Sequence, residues 1–464
     1  MSGRLSRRAF LRLAGAAGGA LALDPKLRMF NVIRRQRPEV NLLSIGADWL
    51  LASLWDSATG EKSDLLREFE EEYNITVTLE GYSEDVGRQK TMLDLSSHTA
   101  QYDIVTSGAY SMATYADAGY LQSLDDLIAQ VGADPELFSL DDYLPSSIEA
   151  ASYEGVMYSL PLYTFGAALV YNKALFDEHG VKVPETLEEL EEAAAALTLD
   201  TDGDGRTDVY GITMRARRGE EPTIDVTGMA WAYGGTWFEG NAYNAAQIRE
   251  NKARPTVNTP EFIAGYEEYA KLLQDSGPPE SANWGWEECM NALAQGKVAM
   301  HLAASSAYWF CRSAATVDPE SIRVAPSPMG PGGHRMMNFF DMALSINMDS
   351  QNMEAAWTVL QFVTSNKVQR AQAAAGITSV PRVSLVMSDE LKAIYPEEDL
   401  QVILDALKEA EPEYMPKIAE YVELCDVLGT ACSETVAGIR EVPEALNEAQ
   451  EMISEIMEQA GYYA

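Results

Sequence analysis

Short apolar segments alternate with amphipathic segments along almost the whole chain, and this alternation limits the possible folds more than any other feature. Residues 40–45 and 160–171 are apolar runs of the kind that form buried strands. Residues 62–73 place apolar side chains at helical spacing, with charged residues on the other side. Thr186, followed by Glu189 three residues later, predicts the start of another helix. Strands that alternate with helices favour an α/β protein built in layers.

The first 23 residues have the form of an export signal. Ser6–Arg12 contains the pair Arg7 and Arg8, and the small, apolar run Leu13–Leu23 follows it. This order is typical of a twin-arginine signal peptide. The apolar run is too short to span a bilayer, which needs about 20 residues. We therefore expect residues 1–22 to be a twin-arginine signal peptide. The protein should then work outside the cytoplasmic membrane, in the periplasm or at the cell surface.

The charge of the chain excludes one large class of partners. Its formal net charge is −37, and a protein this acidic repels nucleic acids and anionic lipids. No apolar stretch long enough to span a membrane follows the signal. We expect a soluble monomer that does not bind nucleic acid.

Several motifs follow one another in a fixed order along the chain. They are Tyr102–Val105, Gly155–Pro161, Tyr171–Phe176, Pro184–Leu190, Gly296–Met300 and Glu354–Ser365. In this order they resemble the extracellular solute-binding proteins of ABC importers, in the sugar-binding group that includes the maltose-binding protein. The resemblance implies an α/β, two-lobe fold of the periplasmic-binding-protein type, with a hinge of several chain crossings and a ligand cleft between the lobes. On that pattern the N-terminal lobe holds residues 40–164 and 343–408, and the C-terminal lobe holds residues 165–342 and 409–464.

The same resemblance implies a receptor that captures a carbohydrate and delivers it to the membrane permease of an ABC importer. Sugars present hydroxyl groups and flat C–H faces, so their sites combine aromatic side chains with carboxylate, hydroxyl and Arg partners. The candidate ligand-binding residues are Asp48, Trp49, Ser107, Tyr110, Tyr163, Trp231, Trp237, Trp309, Asp341, Arg382 and Tyr421. Each aromatic residue could equally pack in a core, and Asp48 and Asp341 could instead cap a helix or a turn. Ser107 stands where the maltose-binding protein has an aromatic residue, which leaves the identity of the sugar open.

A second motif matches part of a calcium-binding loop. Asp200, Asp202, Asp204 and Asp208 occupy positions one, three, five and nine, and a glycine stands at position six. Arg206 would contribute its backbone carbonyl, while the acidic residue usual at position twelve is missing. The loop is either a structural Ca²⁺ site or a solvated turn. We expect no other cofactor.

Two alternatives to a sugar receptor remain open. A polyamine, a metal or a phosphodiester could be the ligand, because carboxylates beside aromatic residues also hold cationic amines. A secreted glycoside hydrolase would use a pair of carboxylates. Most acids, such as those in residues 68–72 and 188–192, lie on helix faces that read as solvated surface. We therefore predict a binding protein without catalytic residues.

Overall fold

One mixed sheet of eight strands organises the part of the chain that the structure describes. The computed structural model describes residues 37–46, 50–109, 111–219, 221–336, 339–411 and 414–464. The strands are β1 (Glu39–Ile45), β2 (Thr76–Tyr82), β3 (Ile104–Gly108), β4 (Ser152–Tyr153), β5 (Val156–Met157), β6 (Ser159–Asn172), β7 (Tyr210–Thr213), β8 (Val298–Ala304), β9 (Ile322–Pro326) and β10 (Phe339–Ile346). The sheet has the order β2-β1-β3-β10-β6-β8-β7, with β9 also paired to β6, and β4 and β5 form a separate hairpin.

Strand β6 joins two groups of strands in this sheet, one that includes β10 and one that includes β8 and β9. Its residues 159–166 pair antiparallel with β10, whereas residues 167–172 pair antiparallel with β8 and β9. All 14 of its residues are buried, which explains why the segment reads as one continuous apolar run. The predicted division of the chain into two lobes stays a prediction.

Two groups of parallel strands bring their carboxyl ends to defined places. Strand β1 pairs parallel with both β2 and β3, and β7 pairs parallel with β8. In open α/β sheets, ligands bind in the crevice outside the carboxyl ends of strands. A ligand site is therefore expected among the residues that follow β1, β2 and β3 and those that follow β7 and β8.

Helices connect the strands and cover the sheet. Helix α7 begins as the sequence predicted, because Thr186 and Glu189 form a reciprocal capping box. The helices are α1 (Asp64–Tyr73), α2 (Glu84–Ser97), α3 (Met112–Asp117), α4 (Leu124–Gln130), α5 (Pro145–Ala150), α6 (Lys173–His179), α7 (Leu187–Ala196), α8 (Thr223–Ala232), α9 (Ala245–Asn251), α10 (Pro260–Ser276), α11 (Trp286–Ala294), α12 (Ala307–Ser313), α13 (Met353–Val363), α14 (Asn366–Ala374), α15 (Val383–Val386), α16 (Asp389–Lys392), α17 (Glu397–Glu409), α18 (Tyr421–Val436) and α19 (Val442–Gln459). Among the described residues, no helix has both the length and the apolar character needed to cross a lipid bilayer.

Helix α17 packs closely against one face of β6. A Cβ atom at Gly166 would collide with the backbone carbonyl of Ala406 on α17, so only glycine lets the helix approach this closely. Gly166 stands where β6 changes from its pairing with β10 to its pairing with β8 and β9. Alternate residues of a strand point to opposite faces, so Thr164 shares the face of Gly166, and Tyr163 lies on the other face.

Candidate functional site

Tyr163, in the middle of β6, is the centre of the candidate ligand site. Its side chain is buried, and its hydroxyl lies beside the hydroxyls of Ser306 and Ser379. Glu84 and Arg215 lie within electrostatic range of the same phenol. Burial raises the pKa of Tyr163 above its usual value, so the phenol remains a neutral group that can both donate and accept hydrogen bonds.

The residues around Tyr163 come from the ends of strands in both parts of the sheet. Glu84 is the first residue of α2 and follows the end of β2 by two residues. Arg215 follows the end of β7 by two residues, and Ser305 and Ser306 follow β8. The Ser305 amide also donates to the Gly166 carbonyl at 2.9 Å, which ties the end of β8 to the middle of β6. Polar groups from two groups of parallel strands therefore converge on one residue.

Both charged groups near Tyr163 have a counter-charge. Arg88, one helical turn after Glu84 on α2, forms an ion pair with the Glu84 carboxylate. Arg215 donates from Nε and Nη2 to the two carboxylate oxygens of Asp225, at 2.7 and 2.6 Å. Arg215 and Asp225 are both buried, and this bidentate arrangement is the strongest geometry for such a pair.

Four buried hydroxyls make no hydrogen bond within the described part of the structure: those of Ser306 and Ser379, which lie beside Tyr163, and those of Ser305 and Thr378, which adjoin them in the chain. Ser306 and Ser379 lie close to the Tyr163 hydroxyl, but outside hydrogen-bond geometry. A buried polar group without a partner costs about 1–3 kcal/mol, so these hydroxyls are suited to bonding with water or with a polar ligand.

Asp341 lies on the opposite face of the sheet from Tyr163. It stands directly opposite Thr164 in the pairing of β10 with β6, and directly opposed residues of antiparallel strands share a face. Its carboxylate is fully buried and has no hydrogen bond within the described structure. Burial therefore raises the pKa of Asp341 well above its usual value, although the positive charge of Lys417 opposes that shift. The structure thus separates two residues that the sequence analysis assigned to one site.

Lys417 connects helix α5 with the face of the sheet on which Asp341 lies. Its ammonium group donates to the backbone carbonyl of Glu149 on that helix. Burial lowers the pKa of Lys417 to about 8, while the negative charges of Glu149 and Asp341 act in the opposite direction. Sequence reasoning did not single out Lys417, because its environment depends on contacts between distant segments.

The predicted tryptophans Trp231, Trp237 and Trp309, together with Tyr421, lie in packed surroundings. The rings of Trp237 and Tyr421 are 5.9 Å apart, and the Trp231 ring lies 5.3 Å from that of His334. Trp309 is buried on α12, three residues after Ser306. The indole nitrogens of Trp231 and Trp237 are buried without a hydrogen-bond partner among the described residues. Ligand contact by these residues stays a prediction.

Two further predicted residues are engaged by other parts of the protein. The Ser107 hydroxyl is 2.7 Å from that of Ser345. Arg382 donates to the Thr364 carbonyl at 3.2 Å, and its guanidinium lies 4.2 Å from the centre of the Tyr143 ring. Three other candidates, Asp48, Trp49 and Tyr110, lie outside the described residues, as does the predicted signal peptide of residues 1–22.

The sequence analysis missed Glu84, Arg215 and Ser379. Glu84 and Arg215 each stand two residues after the end of a strand, a position in the sequence much like those of Asp48 and Tyr110, which also follow strands. Examining that position after every strand would have found both. Ser379 lies between α14 and α15 with no strand before it. The backbone amide of Thr164 donates a hydrogen bond to the Ser379 carbonyl at 3.0 Å. This contact joins residues that are far apart in the chain.

The Asp-rich loop brings three of its four acids together. Oxygens of Asp200, Asp202 and Asp208 all lie within 4.8 Å of one another, and all three residues are exposed. The Asp204 carboxylate instead accepts from the Arg206 amide at 2.8 Å. Clustered carboxylate oxygens are the donors that Ca²⁺ prefers. Backbone amides of the loop also bond to these carboxylates, so the geometry fits both interpretations, and Ca²⁺ stays a prediction.

Comparison with known proteins gives the family. The family described as "Bacterial extracellular solute-binding protein" matches residues 53–370. A mannitol-binding protein of Pseudomonas aeruginosa is 26% identical over 442 residues, covering 91% of this chain and 96% of the relative. A solute-binding protein of Agrobacterium radiobacter, solved with ribitol, superposes with a TM-score of 0.78 at 25% identity, covering 90% of this chain and 98% of that one. A solute-binding protein of Agrobacterium vitis, solved with D-mannitol, gives a TM-score of 0.76 at 25% identity, covering 91% and 99%.

These matches confirm the predicted α/β, two-lobe class of fold. They also confirm the prediction of a solute-binding protein of an ABC transporter rather than an enzyme, since the family and its structural neighbours are binding proteins. The family name places its members outside the cytoplasm. The chain belongs to the bacterial extracellular solute-binding protein family.

Proposed function

We propose that this protein captures an uncharged, open-chain polyol and delivers it to the permease of an ABC importer. The mannitol-binding relative and the two structures with ribitol and D-mannitol support this ligand class. A sugar alcohol is a subclass of the carbohydrates that the sequence analysis expected. It presents a hydroxyl on every carbon and has no ring to stack on.

One observation carries the proposal. Beside the Tyr163 phenol, the buried hydroxyls of Ser306 and Ser379 have no hydrogen-bond partner among the described residues, and neither have those of Ser305 and Thr378, which adjoin them in the chain. A ligand that is itself a row of hydroxyls can donate to and accept from such groups at the same time. An apolar ligand would leave all of them unsatisfied, at about 1–3 kcal/mol each.

A binding screen tests the proposal. The mature protein is titrated calorimetrically with ribitol, D-mannitol and erythritol, and in parallel with maltose and putrescine. We expect one of the three alditols to bind most tightly and to be recovered unchanged. At 100 times its Kd, such a ligand should stabilise the fold by about 2.7 kcal/mol in a thermal-shift assay. If maltose binds most tightly, the ligand is an oligosaccharide and not a polyol. If putrescine binds most tightly, the ligand is a polyamine and the proposed ligand class is wrong.

We also infer that the chain is exported by the twin-arginine route and acts as a monomer without a nucleic-acid partner. The arginine pair within Ser6–Arg12, followed directly by a small, apolar run, supports the route. The net charge of −37 supports the exclusion of nucleic acids.

A further inference from the structure

Two ion pairs lie within electrostatic range of the Tyr163 phenol, one from the end of each group of parallel strands. The first joins Arg88 to Glu84 on α2, where the two side chains keep 11% and 22% of their surface exposed. The second joins Arg215 to Asp225, with 4% and 0% exposed. Glu84 and Arg215 are the members that act electrostatically on Tyr163, and Glu84 also acts on Arg215.

The arrangement gives each charge at the site a neutralising partner. Without Arg88, the Glu84 carboxylate would present an unbalanced negative charge near Tyr163. Without Asp225, Arg215 would keep only the weaker attractions of Glu221 and Glu84, and its positive charge would be largely unbalanced. Buried or half-buried charges interact strongly with any charge that approaches them, because little water screens them. A charged ligand would then be favoured over a neutral one.

We propose that Arg88 and Asp225 are specificity-determining residues that make the site selective for uncharged polyols. Arg88 excludes ligands that carry an ammonium group, because it cancels the attraction of Glu84 and adds its own repulsion. Asp225 excludes ligands that carry a carboxylate, because it cancels the attraction of Arg215 for a negative charge and adds its own repulsion. This inference rests on the proposed function, and it assigns roles to two residues that need not touch the ligand.

The test compares three ligands of one carbon skeleton. The probes are ribitol or D-mannitol, whichever wild type binds more tightly, its 1-amino-1-deoxy derivative and the corresponding aldonate. Calorimetry gives the three dissociation constants at neutral pH and low salt. Wild type should bind the neutral polyol at least about tenfold more tightly than either charged analogue, a ratio that equals about 1.4 kcal/mol.

The Arg88→Gln variant should shift the ratio of amine to polyol affinity by at least about tenfold toward the amine. The double variant Glu84→Gln, Arg88→Gln should restore the wild-type ratio, because it removes both charges together. Lys173→Gln is the matched control: Lys173 forms an exposed pair with Asp177 at the same four-residue spacing on α6, so its loss should leave the ratio unchanged.

The Asp225→Asn variant should shift selectivity toward the aldonate in the same way. Circular dichroism establishes first whether it folds, since removing one member of a fully buried pair is strongly destabilising. The Arg88 arm decides the proposal if Asp225→Asn does not fold. An unchanged ratio in Arg88→Gln would overturn the proposal, and so would equal binding of all three probes by wild type. If wild type binds none of the three probes, the proposed function itself has failed.

Discussion

Thr164 and Asp341 lie directly opposite each other where β6 pairs with β10, so both side chains occupy the face of the sheet that Tyr163 does not. The acid on that face is buried and lacks a hydrogen bond among the described residues. The hydroxyl groups of the candidate site collect on the other face, around Tyr163. The carboxylate of Asp341 should therefore affect stability and its pH dependence, whereas Tyr163 should affect ligand affinity.

Asp341→Asn should stabilise the protein, and by more at neutral than at acid pH. Burial raises the pKa of Asp341 above 3.8 in the folded protein, so the folded state keeps a proton that the unfolded state has lost. Stability then falls as the pH rises through the window above about pH 4, by about 1.4 kcal/mol per pH unit at most. Asparagine does not titrate and escapes this loss.

Urea unfolding at about pH 4.5 and about pH 7 measures the difference between the two proteins. Asp405→Asn on α17 serves as a control, because Asp405 is exposed. A difference between Asp341→Asn and wild type that does not change with pH would contradict the prediction. Affinity for the polyol should change little.

Tyr163→Phe should weaken polyol binding by about tenfold, or about 1.4 kcal/mol, because it removes one hydroxyl from the cluster. The matched control is Tyr143→Phe. The Tyr143 hydroxyl is also buried, but it donates to the Thr364 carbonyl at 3.0 Å, so its loss should lower stability and spare affinity. Calorimetric titration of both variants separates the two effects. Wild-type affinity in a folded Tyr163→Phe protein would place the ligand elsewhere.

His301 should make the protein less stable in acid. Burial and the nearby charge of Arg215 lower the pKa of His301 from 6.5 to about 3. As the pH falls below 6.5, the His301 imidazole therefore takes up a proton in the unfolded chain but stays neutral in the folded protein. The resulting stability is fully present above pH 6.5 and is lost as the pH falls toward 3, by about 1.4 kcal/mol per pH unit.

His301→Asn should flatten the acid side of the stability profile between about pH 4 and pH 6.5. Asparagine can still donate to the Thr213 carbonyl, which lies 2.9 Å from Nδ1 of His301. His179→Asn, at an exposed position on α6, should leave the profile as in wild type. Equal slopes for His301→Asn and wild type would show that His301 does not carry the effect.

Calcium should raise the melting temperature if the Asp-rich loop holds the ion. EGTA should then lower the melting temperature of wild type, and Asp202→Asn should abolish the response, because Asp202 belongs to the cluster of three acids. Asp204→Asn should keep it, because the Asp204 carboxylate bonds to the Arg206 amide instead. Identical melting with and without calcium would favour the solvated turn.

Replacing Arg7 and Arg8 by lysine should hold the precursor in the cytoplasm. The receptor of this export route reads the arginine pair itself, so conserving the charge should not rescue transport. Cell fractionation followed by immunoblotting measures the retained fraction. Arg4→Lys, which leaves the pair intact, should be exported normally. Normal export of the double variant would rule out the twin-arginine route.

Local patterns were enough to predict much of the fold. The apolar run at residues 160–171 became β6, and the Thr186–Glu189 spacing became a capping box. Both depend on residues near one another in the chain. The order of the strands does not: β10 lies between β3 and β6 although 230 residues separate its start from the end of β3. Periodicity carries no information about such pairings, and only the family resemblance supplied the architecture.

The candidate site was predictable only in part. Tyr163 was found because it lies in the segment where the resemblance implies a hinge. Asp341 was grouped with it because sequence distance from a strand does not reveal which face a side chain occupies. One residue of register decides that. The partners of Tyr163, such as Ser379 and Arg215, reach it through tertiary contacts that no local motif announces.

The place of β10 in the sheet has a consequence for how the protein is made. This strand fills the gap between β3 and β6, yet it begins only at Phe339, after nearly three quarters of the chain. A ribosome must therefore release β1, β2, β3 and β6 long before the strand that unites them exists. Until then the edges of β3 and β6 have unpaired amides and carbonyls, which are templates for aggregation. The growing chain therefore leaves these two strand edges uncovered until β10 has been made, and the sheet closes only in the last third of synthesis.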